Sequence, residues 1–206
     1  MLLKEGSSQF LDLKNVQFDS EKEVEDIFFK SDTEKVFGEK LFIIGRHLSF
    51  ADIDDELDVL AINKDGELVV VETKKTFYSA TTADSQALRY VSYISSWSLL
   101  EIKETAEDYY IQKYNNRINF EKKIDDFLDV DISFINQNQK IILLGSGNNR
   151  KLFSSCGWLQ KQGIDIQIFQ AEKYISLHSD NFINIKKINP EIWMKKYSPK
   201  LEGEFN

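Results

Sequence analysis

The amino-acid sequence predicts an α/β protein in which helices flank a mixed β-sheet. The segment Asp58–Lys74 has the pattern of two strands joined by a tight turn. Capping-box patterns that begin at Ser20 and Thr81 predict a helix before and a helix after this hairpin. A buried run, Lys140–Leu144, precedes another helix and the alternating strand pattern of Ile164–Phe169. The predicted order is therefore α-β-β-β-α, a helical insert and β-α-β.

Length and composition place the chain among ordinary globular proteins. Its 206 residues suit one domain with a sizeable core, and 42% of them are hydrophobic and 29% charged. No apolar run is long enough to span a membrane, and the first residues lack a signal-peptide core, so we expect a cytoplasmic protein that has no membrane partner. The single cysteine, Cys156, excludes an intrachain disulfide. We expect Cys156 and His178 to be core and surface residues rather than a catalytic dyad.

The predicted domain divides into five parts along the chain. These are an N-terminal strand or arm (1–19), the first part of the core (20–100), a helical insert (101–138), a closing strand-helix-strand (139–175) and a C-terminal extension (176–206). The capping box at Ser20 predicts a helix that ends near Lys30. Its buried stripe is expected to comprise Val24, Ile27 and Phe28. A short strand at Leu41–Ile44 and a loop at Gly45–Asp55 are predicted to follow it.

The hairpin has a register that its turn determines. The turn Lys64-Asp65-Gly66 fits a three-residue loop closed by a left-handed glycine. This loop pairs Asn63 with Glu67 and therefore places Asp58 opposite Glu72. A two-residue turn is the alternative, and it would move the two acids to opposite faces of the hairpin.

Two carboxylates and an ammonium converge at one end of the hairpin in the preferred register. Strand alternation places Leu57, Val59 and Ala61 on one face and Asp58, Leu60 and Ile62 on the other. In the second strand, Glu72 and Lys74 share a face. Carboxylates in this arrangement can hold Mg²⁺, and a lysine beside them can act on a water molecule. A solvated hairpin end with a cross-strand charged cluster is an equally weighted interpretation.

The helix that begins at Thr81 is predicted to end near Leu100. One stripe of this helix comprises Gln86, Tyr90, Tyr93 and Trp97. We expect the aromatic residues to pack on the sheet. Gln86 lies at the helix start, near the strand that carries Glu72, and is therefore a candidate functional residue. The segment Glu104–Asp129 predicts two further helices.

A glycine-containing loop, Gly145–Lys151, follows the buried strand Lys140–Leu144 and opens a helix that ends near Gly163. Such loops can bind phosphate through free backbone amides. The loop lacks the Lys-Ser/Thr of a P-loop, so the motif is weak support for phosphate binding.

Charge is distributed unevenly along the chain, whose net charge is −8. Residues 1–135 contain 16 basic and 28 acidic residues, whereas residues 136–200 contain 10 basic and 4 acidic ones. This asymmetry fits a basic face beside an acidic metal site, and it equally fits a chance distribution over solvated surfaces.

The combination of these motifs resembles the PD-(D/E)XK nuclease superfamily and, more narrowly, the NucS-like and RecB-like endonuclease domains. The matching stretches are Glu21–Glu25, Ile44–Arg46, Leu57–Leu60, Val69–Lys74 and Gln86–Tyr90. The later strand, helix and strand also resemble the closing part of that fold, so the resemblance covers roughly residues 20–175. The proline that often precedes the first metal-binding acid is replaced by Leu57.

The resemblance implies a restriction-endonuclease-like α-β-β-β-α-β core and a metal-dependent endonuclease that hydrolyses DNA phosphodiester bonds in repair, restriction or defence. It implies that Asp58, Glu72 and the Thr73 carbonyl bind Mg²⁺ or Mn²⁺. Lys74 would orient or deprotonate the attacking water, and Glu25 would complete the metal shell.

The resemblance also implies contacts with DNA, which is the expected partner. Gln86 would lie next to the scissile phosphate, and Tyr90 would brace it. Arg46, Arg150 and Lys151 are candidates for contacts with the DNA backbone.

Two other functions stay open at this stage. One is a non-catalytic module that keeps this fold for binding or assembly. The other is an interaction protein that uses the aromatic insert around Tyr109, Tyr110 and Tyr114, and a homodimer or a partner subunit fits either function.

Overall fold

The computed structural model describes residues 2–3, 10–50, 53–79 and 82–197. Within these residues the chain is an α/β protein with a seven-stranded mixed sheet and seven flanking α-helices. The strands are β1 (Leu2–Leu3), β2 (Phe10–Leu11), β3 (Leu13–Val16), β4 (Leu41–Phe50), β5 (Ile53–Asn63), β6 (Leu68–Lys74), β7 (Gln139–Gly145), β8 (Asp165–Ser176) and β9 (Asn181–Ile188). The helices are α1 (Glu21–Lys30), α2 (Thr33–Phe37), α3 (Ala83–Ile94), α4 (Leu99–Tyr114), α5 (Phe120–Asp125), α6 (Arg150–Lys161) and α7 (Pro190–Tyr197). None of the described helices is long and apolar enough to cross a membrane.

The large sheet has a parallel centre and antiparallel flanks. Its strand order is β3-β8-β7-β6-β5-β4, and β9 pairs with β8 outside this path. β6, β7 and β8 are parallel neighbours, whereas β4, β5 and β6 form an antiparallel meander. Parallel strands end at the same edge, and Lys74 at the end of β6 pairs there with Gly145 at the end of β7. The loops that follow these two strands therefore lie side by side.

Each face of the sheet has its own hydrophobic core. Helices α3, α4 and α6 cover the face that carries Leu60, Ile62 and Val70. Helices α1 and α2 cover the opposite face, which carries Val59 and Val71. Full burial of each such side chain contributes about 1.5–3 kcal/mol to stability. The strand pattern therefore separates two cores and places the hairpin between them.

The predicted helix after Ser20 is confirmed, with Val24 and Phe28 of its predicted stripe buried and Ile27 partly buried. Part of the predicted N-terminal strand or arm (1–19) forms β3, which pairs with β8 in the large sheet. Helix α1 begins after Ser20, whose hydroxyl accepts a hydrogen bond from the Glu23 N–H. The reciprocal bond differs from a standard capping box, because the Glu23 carboxylate accepts from the Asp19 N–H at 2.8 Å.

The hairpin has the predicted three-residue register. Val59 pairs with Val71 and Ile62 pairs with Leu68, and Gly66 has a φ of 79°. One face assignment was wrong, because Leu57 packs in the core of Leu60 and Ile62 rather than in that of Val59 and Ala61. The β5–β6 ladder ends at the Val59–Val71 pair, and the strand beyond it no longer follows simple alternation.

The prediction of a loop at Gly45–Asp55 was wrong. β4 continues to Phe50 and β5 begins at Ile53, so most of this segment extends the hairpin between the two strands. Leu48 pairs with Leu57, while the register shifts between Ile43 and Gly45 and again near Phe50. Such irregularities accommodate extra residues in an edge strand, so polar residues there did not indicate a loop.

The helix predicted to run from Thr81 to Leu100 is shorter and is followed by a second helix. Thr82 occupies the N-cap position without a side-chain cap bond, and Thr81 lies outside the described residues. α3 ends at Ile94, and a capping box at Ser98 begins α4. This second box, Ser98 with Glu101, explains why the predicted single helix is two helices. The insert does contain the two predicted helices, α4 and α5.

The closing elements extend further than predicted. β7 and α6 match the predicted strand and helix, but β8 continues to Ser176 instead of ending near Phe169. The additional residues of β8 pair with β3 and with β9. The C-terminal extension, for which no element was predicted, contains β9 and α7.

Candidate functional site

The hairpin brings Asp58 and Thr73 together just beyond the ladder pair Val59–Val71. Asp58 Oδ2 accepts hydrogen bonds from the Thr73 N–H at 2.7 Å and from Thr73 Oγ1 at 2.8 Å. Burial raises the pKa of Asp58, and the two bonds from Thr73 oppose this rise without cancelling it. The carboxylate is thus held in a fixed position at the end of the hairpin.

Glu72 is a fully buried carboxylate with an incomplete set of partners. Its Oε1 lies 2.5 Å from Lys74 Nζ, whereas its Oε2 is buried and has no hydrogen-bond partner. A buried polar atom without a partner costs about 1–3 kcal/mol. The fold therefore retains Glu72 at a cost in stability, as is common for groups with a functional role.

The surroundings of Glu72 and Lys74 raise the pKa values of both groups. Burial raises the pKa of Glu72 to about 8, and the negative charge of Asp58 adds to the rise. Burial alone would lower the pKa of Lys74, but Glu72 and Glu21 outweigh it and hold that pKa above its ordinary value. Lys74 is therefore an ammonium ion at neutral pH.

Helix α1 supplies two carboxylates, one turn apart, to this region. Glu21 Oε1 accepts a hydrogen bond from Lys74 Nζ at 2.9 Å. Glu25 Oε1 accepts from Arg46 Nε at 2.6 Å and lies 3.3 Å from His47 Nε2. Glu25, which we predicted to complete the metal shell, is thus engaged by Arg46, and Glu21 is the α1 acid in contact with Lys74.

A cavity of about 510 Å³ connects α1 with the hairpin end. Its lining residues are Glu21, Lys22, Glu25, Arg46, His47, Asp58 and Thr73. The Arg46 guanidinium also lies 3.5 Å from Asp26 and 4.3 Å from the ring centre of Phe29. These contacts fix a cation beside the carboxylates of the cavity.

His47 is a cavity residue that the sequence analysis did not propose. Its φ of 51° is left-handed, which is uncommon for a residue other than glycine. Its Nδ1 lies 2.8 Å from Glu56 Oε1, and its Nε2 faces Glu25. The segment was interpreted as a loop, so no strand pattern indicated that His47 would line the same cavity as Asp58.

On the α3 side, Gln86 and Tyr90 form a connected hydrogen-bond chain. Gln86 Nε2 donates to Asp55 Oδ1 and to the Tyr90 hydroxyl, both at 3.0 Å. The Tyr90 hydroxyl donates to the Glu56 carbonyl at 2.7 Å, and burial raises its pKa. The arrangement fits the predicted bracing of Gln86 by Tyr90. Both amide hydrogens of Gln86 are in use, so its contact with a phosphate requires it to release Asp55.

The four predicted DNA contacts have different surroundings. Tyr90 is fully buried, so a direct contact between its side chain and DNA does not fit the structure. Arg46 lines the cavity and is paired with acids. Arg150 and Lys151 are exposed in the first turn of α6, after the strand whose last residue, Gly145, pairs with Lys74. These two are therefore accessible at the sheet edge that carries the site.

The carboxylates fit a magnesium ion better than they fit a metal held entirely by protein. In the described part of the chain, no group of three or more His, Cys, Asp or Glu residues has a metal-holding arrangement. Mg²⁺ commonly uses only one or two carboxylates, with waters and substrate phosphate completing its shell. The unpaired Oε2 of Glu72 beside Asp58 has the chemistry of such a ligand. The Thr73 carbonyl stays a predicted third ligand.

Comparison of the chain with protein-family models, with curated proteins and with solved structures gives no match. The resemblance to the PD-(D/E)XK nucleases therefore depends on the motif residues of the sequence.

Proposed function

We propose that the protein is a Mg²⁺- or Mn²⁺-dependent endonuclease that hydrolyses DNA phosphodiester bonds. The observation that carries this proposal is the fully buried Glu72, which has one oxygen on Lys74 and one oxygen without a partner. A cluster with a purely structural role is expected to satisfy its buried acceptors. A divalent cation bound by Glu72 and Asp58 would remove both the unsatisfied oxygen and the repulsion between the two acids.

The order of elements supports a restriction-endonuclease-like core. α1, β4, β5, β6, α3 and β7 occur in the order α-β-β-β-α-β, with the short α2 between α1 and β4 and with α4 and α5 inserted before the last strand. In this arrangement the candidate carboxylates lie at the end of the central hairpin.

The residues of the site have separable roles in the proposed hydrolysis. Asp58 and Glu72 would hold the metal, with the Thr73 carbonyl as a third ligand. The bound metal supplies a water of lowered pKa and positive charge at the phosphate. Lys74, held as an ammonium by Glu72 and Glu21, would orient the attacking water and stabilise the charge that develops on the phosphate.

A non-catalytic module of the same fold is the second candidate. Its support is that other charges of the site already neutralise one another, as in the pair of Arg46 with Glu25 and that of Lys74 with Glu21. This candidate does not explain why Glu72 Oε2 is left unsatisfied.

The burial of aromatic residues in the helical insert argues against the hypothesis of an interaction protein. Tyr109 is only 8% exposed, and Tyr110 stacks on Phe42 of β4 at 5.9 Å. Tyr114 alone of the three tyrosines is largely exposed, at 54%. The aromatic residues thus mainly attach α4 to the sheet instead of forming a broad exposed patch.

The test is cleavage of supercoiled, linear and single-stranded DNA in Mg²⁺, Mn²⁺ or EDTA. Glu72→Gln removes a metal ligand with little change in shape, so we expect cutting to fall at least about 100-fold. Glu39→Gln is the matched control, because Glu39 also binds a lysine but lies with Lys140 at the other end of β7. It should cut like the wild type.

Calorimetry with Mg²⁺ and Mn²⁺ separates the remaining outcomes. Wild-type protein that neither binds metal nor cuts any of these substrates would favour the non-catalytic module. Metal binding that Glu72→Gln abolishes, without cutting, would retain the site and indicate another substrate or a required partner.

A further inference from the structure

Two loops at the carboxyl edge of the sheet are tied to each other by hydrogen bonds. The Phe77 N–H donates to the Ser146 carbonyl at 2.7 Å, and Ser146 Oγ donates to the Lys75 carbonyl at 2.6 Å. Asn149 Nδ2 donates to the Phe77 carbonyl at 2.7 Å. The loop after β6 is therefore held against the loop after β7, and this fixes the point from which Tyr78 projects.

Tyr78 is an exposed aromatic side chain with a defined position. Its side chain is 71% exposed, although its ring lies against the backbone of Gly147. A Cβ atom at Gly147 would lie 2.6 Å from Tyr78 Cε2, and the φ of Gly147 is 74°. Glycine at this position thus allows the ring to rest on the loop.

The cavity beside Tyr78 is lined by groups that suit a nucleobase. It has a volume of about 530 Å³, within the range of small-molecule sites. Four amide side chains line it, namely Asn15, Gln17, Asn148 and Gln170. Gln170 is only 4% exposed, and its Nε2 donates to the Gly147 carbonyl at 3.1 Å. Amides offer the donors and acceptors that pair with the edges of bases.

Lys75 connects this cavity with the candidate site. Lys75, Lys173 and the acid Glu172 line the cavity. Lys173 is paired with Glu23 at 2.6 Å, whereas Lys75 directly follows Lys74 of the candidate site. Lys75 Nζ donates to the Asp19 carbonyl at 3.0 Å, just before α1. The cavity therefore adjoins the proposed catalytic residues through both β6 and the start of α1.

We propose that Tyr78 is a stacking platform for an unpaired base of the DNA substrate, with the amide-lined cavity receiving the base. This inference rests on the proposed nuclease function and specifies its substrate class as DNA with a single-stranded segment. Aromatic side chains stack on the bases of single strands with little regard to sequence. Bases within a duplex are already stacked on one another, so the platform discriminates in favour of unpaired DNA.

The test is fluorescence anisotropy with a dye-labelled oligothymidine strand and with a blunt duplex, both in EDTA to prevent cutting. Tyr78→Ala should weaken binding of the strand about tenfold and change binding of the duplex less than about twofold. Tyr78→Phe keeps the ring and should bind the strand within about twofold of the wild type. Trp158→Ala is the control, because Trp158 is also largely exposed, at 61%, but lies on α6 away from the cavity lining.

Three results would overturn the platform: no binding of the strand by the wild type, equal binding by wild type and Tyr78→Ala, or equal losses for strand and duplex. The nuclease proposal fails separately. Binding that depends on Tyr78 without any metal-dependent cutting would retain the platform and reject the nuclease. Cutting that requires Glu72, together with strand binding that does not require Tyr78, would reject the platform alone.

Discussion

Two clusters, each of one lysine and two carboxylates, lie at opposite ends of the central strands, and they differ in how completely their charges are paired. The hairpin-end cluster comprises Glu21, Glu72 and Lys74, and the β7-start cluster comprises Glu39, Lys140 and Asp165. The two lysines are similarly shielded, with 18% of the Lys74 side chain and 11% of the Lys140 side chain exposed.

The β7-start cluster has partners for each of its carboxylates. Glu39 Oε1 lies 2.6 Å from Lys140 Nζ, and Glu39 Oε2 accepts from Asn63 Nδ2 at 3.0 Å. Asp165 is 45% exposed, so water reaches it as well. Glu72, in contrast, is fully buried with an unpaired oxygen.

The comparison shows that the composition of a charged cluster does not indicate its role. Both clusters raise the pKa of their lysine, because neighbouring acids outweigh the effect of burial. Only the hairpin-end cluster also raises the pKa of a carboxyl group to about 8. The unsatisfied acceptor and the perturbed acid, rather than the ion pairs, therefore identify the functional candidate.

The largest expected difference is in cutting by Lys74→Met and Lys140→Met. Lys74→Met removes the ammonium beside the proposed phosphate, so cutting should fall about 100-fold or more. Lys140→Met leaves the site intact, and its cutting rate should stay within about twofold of the wild type. The measurement is the initial cleavage rate in Mg²⁺ at saturating enzyme for each variant.

Both substitutions should also lower the free energy of unfolding, because each removes the cation beside a shielded carboxylate. Lys140→Met leaves Glu39 without its cation, and we expect it to lower the free energy of unfolding by about 1–3 kcal/mol, less than for a fully buried pair because water reaches Asp165. Urea unfolding measures this change. Equal losses of cutting in the two variants would show that both clusters act only through stability.

Glu72→Gln should stabilise the metal-free protein at neutral and alkaline pH. Burial raises the pKa of Glu72 to about 8, whereas an unfolded chain ionises this carboxyl near its ordinary 4.5. As pH rises from 4.5 to 8 the unfolded state loses this proton first, so the stability of the wild type falls and then levels off. Glutamine carries no such charge, and we expect a gain of at least about 1 kcal/mol at pH 8.

Glu39→Gln is the control for the predicted stability of Glu72→Gln. Glu39 has partners for both oxygens, so its replacement should lower stability or leave it unchanged at every pH. Urea unfolding in EDTA from pH 5 to 9 measures both variants. A Glu72→Gln protein that is less stable than the wild type at pH 8 would mean that Lys74 fully compensates the buried charge.

The sequence was sufficient to predict the hairpin and which residues lie at its end. Gly66 needs a positive φ, and this requirement selected the observed register, in which Val59 pairs with Val71 and Asp58 follows at the end of the ladder. The capping pattern at Ser20 likewise predicted α1, which carries Glu21. These features are local, because turn chemistry and capping depend on residues close in sequence.

The features of the site that could not be predicted from the sequence depend on contacts between residues far apart in the chain. Pairing of Glu25 with Arg46 depends on the edge strand β4, whose register shifts had no visible sequence signal. His47 enters the cavity through the same irregular strand. The unpaired oxygen of Glu72 depends on packing around it, and no sequence pattern reports which buried acceptors lack a partner.

The smallest expected effect distinguishes the two hydrogen bonds that hold Asp58. Thr73→Val removes the bond from Thr73 Oγ1 but leaves the 2.7 Å bond from the backbone amide to the same oxygen. One such bond contributes about 1 kcal/mol, so cutting should fall about fivefold. Thr33→Val is the control, because Thr33 Oγ1 accepts from the Leu41 N–H, remote from Asp58, at 3.2 Å.

Parallel kinetics and urea unfolding separate positioning from stability in this last pair. Both variants lose one hydroxyl bond, and each should be destabilised by about 1 kcal/mol. Only Thr73→Val should also lose activity, because Asp58 then has greater freedom at the metal. If Thr33→Val slows cutting as much as Thr73→Val does, stability rather than orientation of Asp58 limits the reaction, and the hairpin-end cluster loses its distinction from the rest of the sheet.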